Sequence, residues 1–401
     1  MEFSTARFGD LLRYPLRSGV TVAKAHRGIG IPMVNMGELF KYPRLGVVDM
    51  ALVDIDYANA ERYLLQEGDL LFARRSLTLE GAGKCCLITD VAGPTTWESS
   101  IIRARLDRTS VDPAFFYYFF RSSPGRERIE AIVEQVAAAG IRVSDLADLR
   151  VPHPSLAAQK AIAEVLGALD YKIALNEQIR STALDLASAH YGVAKSGAPV
   201  LLADLADLYD GPHATPHKTA EGPWFLSISS LKNGFLDLPE SAHLSEEDFP
   251  RWTKRVQPQG GDVLFSYETR LGDAALMPPG IRSSLGRRMA LLRSKDAAVS
   301  GAFLLHAYLS PVFQEEIKRR TIHGATVDRL PLKEMPSWRI TLPAESERAQ
   351  LSAKLDALHA TVMQTANENR TLAELRDTLL PELVTGRLRV KDATRAVEEV
   401  V

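Results

Sequence analysis

The stretch S-L-A-A-Q-K-A-I-A-E-V-L-G-A-L-D-Y-K-I-A-L-N-E-Q-I-R-S-T-A-L-D-L-A-S-A-H-Y, Ser155 to Tyr191, contains no proline and one glycine, Gly167. It sets Ile162, Leu166, Leu169, Ile173, Asn176, Arg180 and Ala183 at alternating steps of four and three, the period of a heptad seam. A second stretch, E-S-E-R-A-Q-L-S-A-K-L-D-A-L-H-A-T-V-M-Q-T-A-N-E-N-R-T-L-A-E-L-R-D-T-L-L from Glu345 to Leu380, carries Leu351, Leu355, Leu358, Val362, Thr365, Asn369, Leu372 and Leu379 in the same register. A seam buries about two residues in seven and needs a partner helix of matching length. Each stretch offers that partner to the other, so an intramolecular helical pair is expected. The alternative is that each helix packs on its own globular domain.

The rest of the chain also repeats. Q-E-G-D-L-L-F-A (Gln66 to Ala73) returns as Q-G-G-D-V-L-F-S (Gln259 to Ser266), each a Gly-Asp turn entering an apolar strand, with Arg74 and Arg75 after the first and Arg270 after the second. Gly140-Ile141-Arg142-Val143 answers Gly324-Ala325-Thr326-Val327. Each of these loops follows a helical stretch, Phe115 to Val136 or Phe303 to Arg320, and precedes a short apolar strand, Leu149 to Pro154 or Trp338 to Pro343. Repeats of this length imply duplicated modules. The expected segments are a globular domain at 1–153, a long helix at 154–193, a second globular domain at 194–342, a second long helix at 343–385 and a tail at 386–401. Strands at Ile31 to Val34, Leu70 to Phe72, Cys85 to Ile88, Trp224 to Ser227, Val263 to Phe265 and Met289 to Leu292, followed by helices, make the fold class α+β.

Composition fits a soluble chain of several cores: 401 residues, 46% hydrophobic and 24% charged. The two cysteines, Cys85 and Cys86, are adjacent and poorly placed to bridge each other, which favours a reducing compartment. The first residues lack the apolar core of a signal peptide, and no stretch approaches the roughly 18 apolar residues of a membrane span. A cytoplasmic protein with no membrane partner is expected. Gly81-Ala82-Gly83-Lys84-Cys85 lacks the first glycine and the hydroxyl of a phosphate loop. His213 and His217 have the spacing of a helical zinc pair, but Pro212 and Pro216 break that helix. The expectation is a chain with no catalytic residue, no metal and no cofactor of its own.

Charge is neutral in bulk, 48 Lys plus Arg against 50 Asp plus Glu, yet uneven locally. Arg282, Arg287, Arg288, Arg293 and Lys295 have no acid between them, and Lys318-Arg319-Arg320 follows with His323. Arg17, Lys24, His26 and Arg27 cluster near the start, and Arg74, Arg75 and Lys84 surround the first Gly-Asp strand, with Arg103 and Arg105 beyond it. Such residues can hold phosphates and, as arginine, guanine edges. The candidate contact set is Arg17, Lys24, Arg27, Arg74, Arg75, Lys84 and Arg142 in the first module. In the second it is His213, Lys218, Tyr267, Arg270, Arg287, Arg288, Arg319, Arg320 and Thr326. Asn35 is a further polar candidate. A helix from Ile162 to His190 would be about 43 Å long, comparable to about 12 base pairs, so a rod of this size can space two half-site readers.

V-P-H-P-S-L-A-A-Q-K-A-I-A-E-V-L-G-A-L-D-Y-K-I-A-L-N (Val151 to Asn176) and E-N-R-T-L-A-E-L-R-D-T-L-L-P-E-L-V-T-G-R-L-R-V (Glu368 to Val390) resemble the two helical regions of the specificity subunits of type I restriction-modification systems. D-G-P-H-A-T-P (Asp210 to Pro216), W-F-L-S-I-S-S-L-K-N-G (Trp224 to Gly234) and G-D-V-L-F-S (Gly261 to Ser266) look like a target recognition domain of that family. Ala158 departs from the family's frequent Glu in L-x-E-Q, and the second copy reads P-A-E-S-E-R-A-Q. The resemblance implies two α/β target recognition domains separated by antiparallel coiled-coil helices, with pseudo-twofold repetition. It implies a non-catalytic subunit that reads one half of a bipartite double-stranded DNA target with each domain. Two modification subunits using S-adenosylmethionine and ATP-driven restriction subunits would be its partners. The competing expectation is a coiled-coil scaffold with two protein-binding modules and no role on DNA.

Overall fold

A computed structural model describes residues 3–55, 62–135, 139–232 and 234–399. Asn233 of the quoted recognition motif and Val136, the expected end of a helix, lie outside the described residues. The packing forms two units, one made of residues up to Ile173 together with those from Arg370 onward, the other of Ala174 to Asn369. The division falls inside the two long helices, Leu156–Val193 and Glu345–Thr385, rather than at their ends. Each helix supplies part of its length to each unit.

In the first unit Ile162, Leu166 and Leu169 share a core with Leu372, Leu379, Leu380, Leu383 and Val384, and with Ile173 at its edge. The beginning of one helix therefore meets the end of the other. In the second unit the order is reversed: Ala187 and Tyr191 pack in one core with Leu351, Leu355 and, at its margin, Leu358. The pairing is antiparallel in both. Val362, Asn176 and Thr365 are buried as seam residues. Arg180 is not; its guanidinium leaves the seam to sit 4.2 Å over the Phe235 ring, because a cation is better solvated on an aromatic face than between leucines. The tail contributes a helix, Val390–Glu398, whose Ala393 is buried in the first unit's core.

The two units share one strand plan. In the first, a sheet runs Leu12–Ser18, Ile101–Leu106, Leu70–Ala73, Cys85–Ile88 and Arg44–Leu45; in the second it runs Ala206–Asp210, Met289–Ser294, Val263–Ser266 and Ala274–Leu276. Beside each lies a three-stranded sheet with one antiparallel and one parallel neighbour: Arg27–Val34 between Ala51–Val53 and Thr96–Trp97, and Thr219–Phe225 between Ala242–His243 and Ser283–Ser284. Each unit is closed by a two-stranded ribbon, Thr5–Arg7 with Arg150–Pro152 and Ser196–Leu201 with Arg339–Pro343.

The repeated Gly-Asp element has a physical reason. Gly68 and Gly261 turn with φ of 88° and 91°, a region open to glycine, and the next residue is a buried carboxylate. Asp69 accepts the Gln66 amide at 2.8 Å and two guanidinium bonds from Arg105 at 2.7 Å. Asp262 accepts the Gln259 amide at 2.8 Å and two bonds from Arg293 at 2.7 Å. Each arginine also donates to a backbone carbonyl, Leu64 or Gln257. The pair thus ties the central strand to its neighbour and fixes the register between them.

The expected single helices over Phe115 to Val136 and Phe303 to Arg320 are each two helices. They run Pro113–Arg121 and Ser123–Glu130, then Gly301–Leu309 and Pro311–Arg320. Ser122 and Ser310 cap the second member of each pair, with Pro124 and Pro311 in its first turn, where proline is tolerated and a continuing helix is not. The strand expected at Trp224 to Ser227 is Thr219–Phe225. Both units anchor the first short helix on a long one. The Gln159 side chain accepts the Asp112 amide at 2.8 Å, and the Ser352 hydroxyl accepts the Ser300 amide at 3.3 Å. Six residues past those caps, Tyr118 donates to Asp170 at 2.7 Å, whereas His306 meets His359 at 3.0 Å between Nε2 atoms.

Replacing Asp69 with Ala strands a mostly buried guanidinium and should cost roughly 3–5 kcal/mol, read as a lower denaturation midpoint for the first unit; an unchanged midpoint contradicts the role given to the pair. Burial holds His306 and His359 neutral, with both pKa values well below the usual imidazole value. Their contribution is therefore complete above about pH 6.5, where the unfolded chain is also neutral, and is lost as pH falls and only the unfolded imidazoles take up protons. The slope is up to about 1.4 kcal/mol per pH unit for each histidine. Urea denaturation at pH 7.5 and 5.5 should show this loss in the native chain and a smaller one in the His306→Phe/His359→Leu double variant.

Candidate functional site

The shared strand plan lets equivalent positions be identified by hydrogen bonds. Ala73 pairs with Ile101 in the first unit, and Ser266 with Met289 in the second. Just beyond, the Arg74 amide donates to the Ser100 carbonyl at 2.8 Å and the Tyr267 amide to the Arg288 carbonyl at 3.1 Å. On the other side, Ile141 donates to Arg74 at 3.0 Å and Leu330 to Tyr267 at 2.9 Å. Arg74 and Tyr267 are thus counterparts, as are Ser100 and Arg288. The counterpart of Gly140-Ile141 is Arg329-Leu330, not Gly324-Ala325; Gly324 to Val327 lie in the turn closed by the Ile322 and Arg329 bridge.

One corner of each unit carries two consecutive arginines, taken from opposite strands. In the first unit they are Arg74 and Arg75, facing Ser99 and Ser100. In the second they are Arg287 and Arg288, facing Tyr267 and Glu268. The guanidinium groups of Arg75 and Arg287 are exposed and have no hydrogen-bond or ion-pair partner among the described residues.

The other candidates divide by what they touch. Lys84 is held in the structure, its Nζ donating to the Phe40 carbonyl at 3.3 Å over the Phe40 ring, with its pKa lowered by burial. Arg270 donates to the Ile228 and Leu231 carbonyls at 3.1 and 3.2 Å and pairs with Asp273. Arg319 and Arg320 both pair with Glu316, and Arg320 also lies over Trp338. Arg142 pairs with Glu134 at 2.6 Å, and Arg17 lies half-buried over Tyr63. Lys84, Arg270, Arg320 and Arg17 are half-buried in these contacts, whereas Arg142 and Arg319 form ion pairs on the surface. Lys24, Arg27, Lys218 and Thr326 are exposed. Tyr267 is buried, with its hydroxyl 3.5 Å from His213, which also meets Asp210 at 3.3 Å. Asn35 opens a short helix, Met36–Lys41, through reciprocal capping with Glu38.

The acid-free run from 281 to 295 is not a bare cationic patch. Arg282 pairs with Glu246, Arg288 with Glu268, Arg293 with Asp262 and Lys295 with Asp207, leaving Arg287. That side chain lines a cleft of about 440 Å³ with Lys218, Thr215, Ser227, Ser229 and Arg288. Across the loop from Gly211 to Lys218, a second cleft of about 380 Å³ is lined by His213, Arg251, Trp252, Lys254 and Arg255. Arg251 and Lys254 are not among the residues expected from the sequence. The interleaved run R-W-T-K-R, Arg251 to Arg255, was the available signal.

Among the described residues no group of three or more His, Cys, Asp or Glu side chains is placed to hold a metal, and no helix is long and apolar enough to cross a membrane. A family model described as the type I restriction modification DNA specificity domain matches residues 9–183. The chain is 22% identical over 421 residues to a protein assigned as the type I restriction enzyme MjaX specificity subunit of Methanocaldococcus jannaschii, covering 97% of this chain and 94% of that one. It is 28% identical over 165 residues, 40% of this chain and 34% of the other, to the type I restriction enzyme EcoKI specificity subunit of Escherichia coli K12. The crystal structure of a type I restriction-modification S subunit from M. genitalium shares the fold, with a TM-score of 0.57 and 17% identity, over 95% of this chain and 96% of that one.

The contrast between bound and exposed arginines is measurable. Arg270→Ala leaves two carbonyls without their donor and should destabilise the second unit by roughly 1–3 kcal/mol. Arg287→Ala should stay within about 0.5 kcal/mol of the native chain. Equal losses in chemical denaturation would contradict the division.

Proposed function

We propose that the chain is a specificity subunit of a type I restriction-modification system, a reading supported by the family model over residues 9–183 and by the relatives named above, and that its two units each read one half of a bipartite, asymmetric duplex target. The observation that carries the proposal is the corner with two arginines, present in both units but drawn from different strands. Conserving a frame needs no such coincidence, whereas a surface that must meet polyanionic DNA in both units does. Arg75 and Arg287, exposed and without carboxylate partners among the described residues, are the principal contacts. Lys24, Arg27, Arg74 and Lys218 add phosphate contacts, which fix position without carrying sequence information. Asn35, His213 and Thr326 stand as secondary polar contacts.

The paired helices set the spacing between half-sites and present their outer faces to two modification subunits. Restriction subunits complete the assembly. Adenine methylation with S-adenosylmethionine and ATP-driven translocation belong to those partners. The chain's own part is recognition, without catalysis, in the cytoplasm.

A map of methylated adenines in the source genome, with and without this gene, defines the target. In gel-shift competition the assembled complex should bind that target more tightly than a scrambled duplex at several salt concentrations. Arg75→Ala and Arg287→Ala should each weaken target binding about 10- to 100-fold, and each should relax preference in a different half-site. Lys84→Ala should do neither. Equal affinity for target and scrambled DNA overturns the proposal, since phosphate contacts alone do not discriminate.

A further inference from the structure

Thr269 and Arg288 have left-handed backbone, with φ of 70° and 71°, and are the only non-glycine residues of that kind among those described. For a β-branched threonine this conformation is a true outlier. The two residues face each other at the end of the central strand pair. Arg288 Nη1 donates to Thr269 Oγ1 at 3.3 Å, Arg288 Nε lies 2.9 Å from Glu268 Oε2, and the Tyr267 amide binds the Arg288 carbonyl. The Thr269 amide is held at 3.3 Å by the Asp328 carbonyl. Strain of this kind persists only where surrounding contacts over-determine it, and it gathers at working sites. What this arrangement presents is Arg287, the residue immediately before the strained position, at the rim of the cleft with Lys218 and Ser227.

Charge separates the two arginines. Arg288 is neutralised by Glu268 and is half-buried, whereas Arg287 is exposed and has no partner among the described residues. The guanidinium of Arg287 is a planar two-donor fork, matched to the O6 and N7 acceptors of guanine in the major groove, and the left-handed backbone of the next residue fixes where that side chain starts. We propose that Arg287 reads a guanine in the second unit's half-site, and that Glu268, Thr269 and Arg288 are positioning residues that latch the backbone from which it projects. The inference rests on the DNA-reading proposal above and deepens it. The first unit has no counterpart of the latch, because Ser76 and Ser100 occupy the equivalent positions with ordinary backbone.

The test replaces each guanine of the target, one at a time, with 7-deazaguanine, which lacks the N7 acceptor, and measures competition for the assembled complex. The native complex should lose about 10-fold affinity at one guanine of one half-site, and Arg287→Ala should make that position insensitive. Arg288→Gly tolerates the left-handed backbone but removes the ion pair, and Glu268→Gln removes the pair without touching the backbone. Both should weaken the N7 dependence while leaving the salt dependence of binding unchanged, and Arg288→Lys should restore part of it. Thermal unfolding checks that the variants fold, and Glu268→Gln serves if Arg288→Gly does not. If no guanine depends on Arg287, its reading role fails; if both latch variants keep the native N7 dependence, the latch fails. A complex that does not distinguish target from scrambled DNA fails the earlier proposal instead, so the two failures are separable.

Discussion

A carboxylate buried beside a single arginine fixes the geometry on which each unit depends. Asp69 and Asp262 are buried in the core, where a polar group needs strong compensation. Each obtains it from one bidentate guanidinium on the neighbouring strand and one turn amide. Because the arginine reaches its partner at only one offset between strands, the pair excludes the slipped registers that an apolar sheet would otherwise tolerate. The strand end four residues beyond Asp69 or Asp262 therefore emerges at a defined place, and the arginine corner begins there in both units.

The same accounting explains why bulk charge is a poor guide to this molecule. A net charge of −2 conceals two populations of cations. Arg105, Arg270, Arg293 and Lys84 serve the interior, each held by a carboxylate or a backbone carbonyl. Arg75, Arg287 and Lys218 face outward. The charge total cannot separate them, and neither can linear clustering: the run from Arg282 to Lys295 has no acid within it, yet four of its five cations are paired. Their partners, Glu246, Asp262, Glu268 and Asp207, come from strands and loops distant in sequence.

What could be read from the chain follows from which interactions are local. The long helices were legible because a period of 3.5 is written along each one, and the Gly-Asp repeat because the turn and the strand are adjacent in sequence. The halving of the short helices was legible in principle, since Ser122 with Pro124 and Ser310 with Pro311 are capping signals. It was hidden by the strongly apolar residues before each break. The match of Gly140 to Gly324 failed because glycine marks turns in general, and only the ladder shows that Arg329 is the counterpart. The corner itself was not legible, because its equivalence depends on strand register and its two arginine pairs come from different segments.

The swap between strands also indicates how a duplicated reader can change what it reads. The elements that carry register, the buried Asp with its arginine and the anchors from Gln159 and Ser352 to the helix caps, occur in both units with little variation. The side chains of Arg75 and Arg287 make no hydrogen bond or ion pair with that frame among the described residues, so an exposed cation can sit on either strand while the register-bearing contacts stay in place. In the first unit Arg74 and Arg75 take this position with an ordinary backbone. In the second, Arg287 directly precedes Arg288, whose left-handed backbone, like that of Thr269, lies beside the ion pair with Glu268. A fixed frame with a permissive corner lets two units of one chain diverge in their surface side chains while sharing a fold, as the proposed asymmetric target would require.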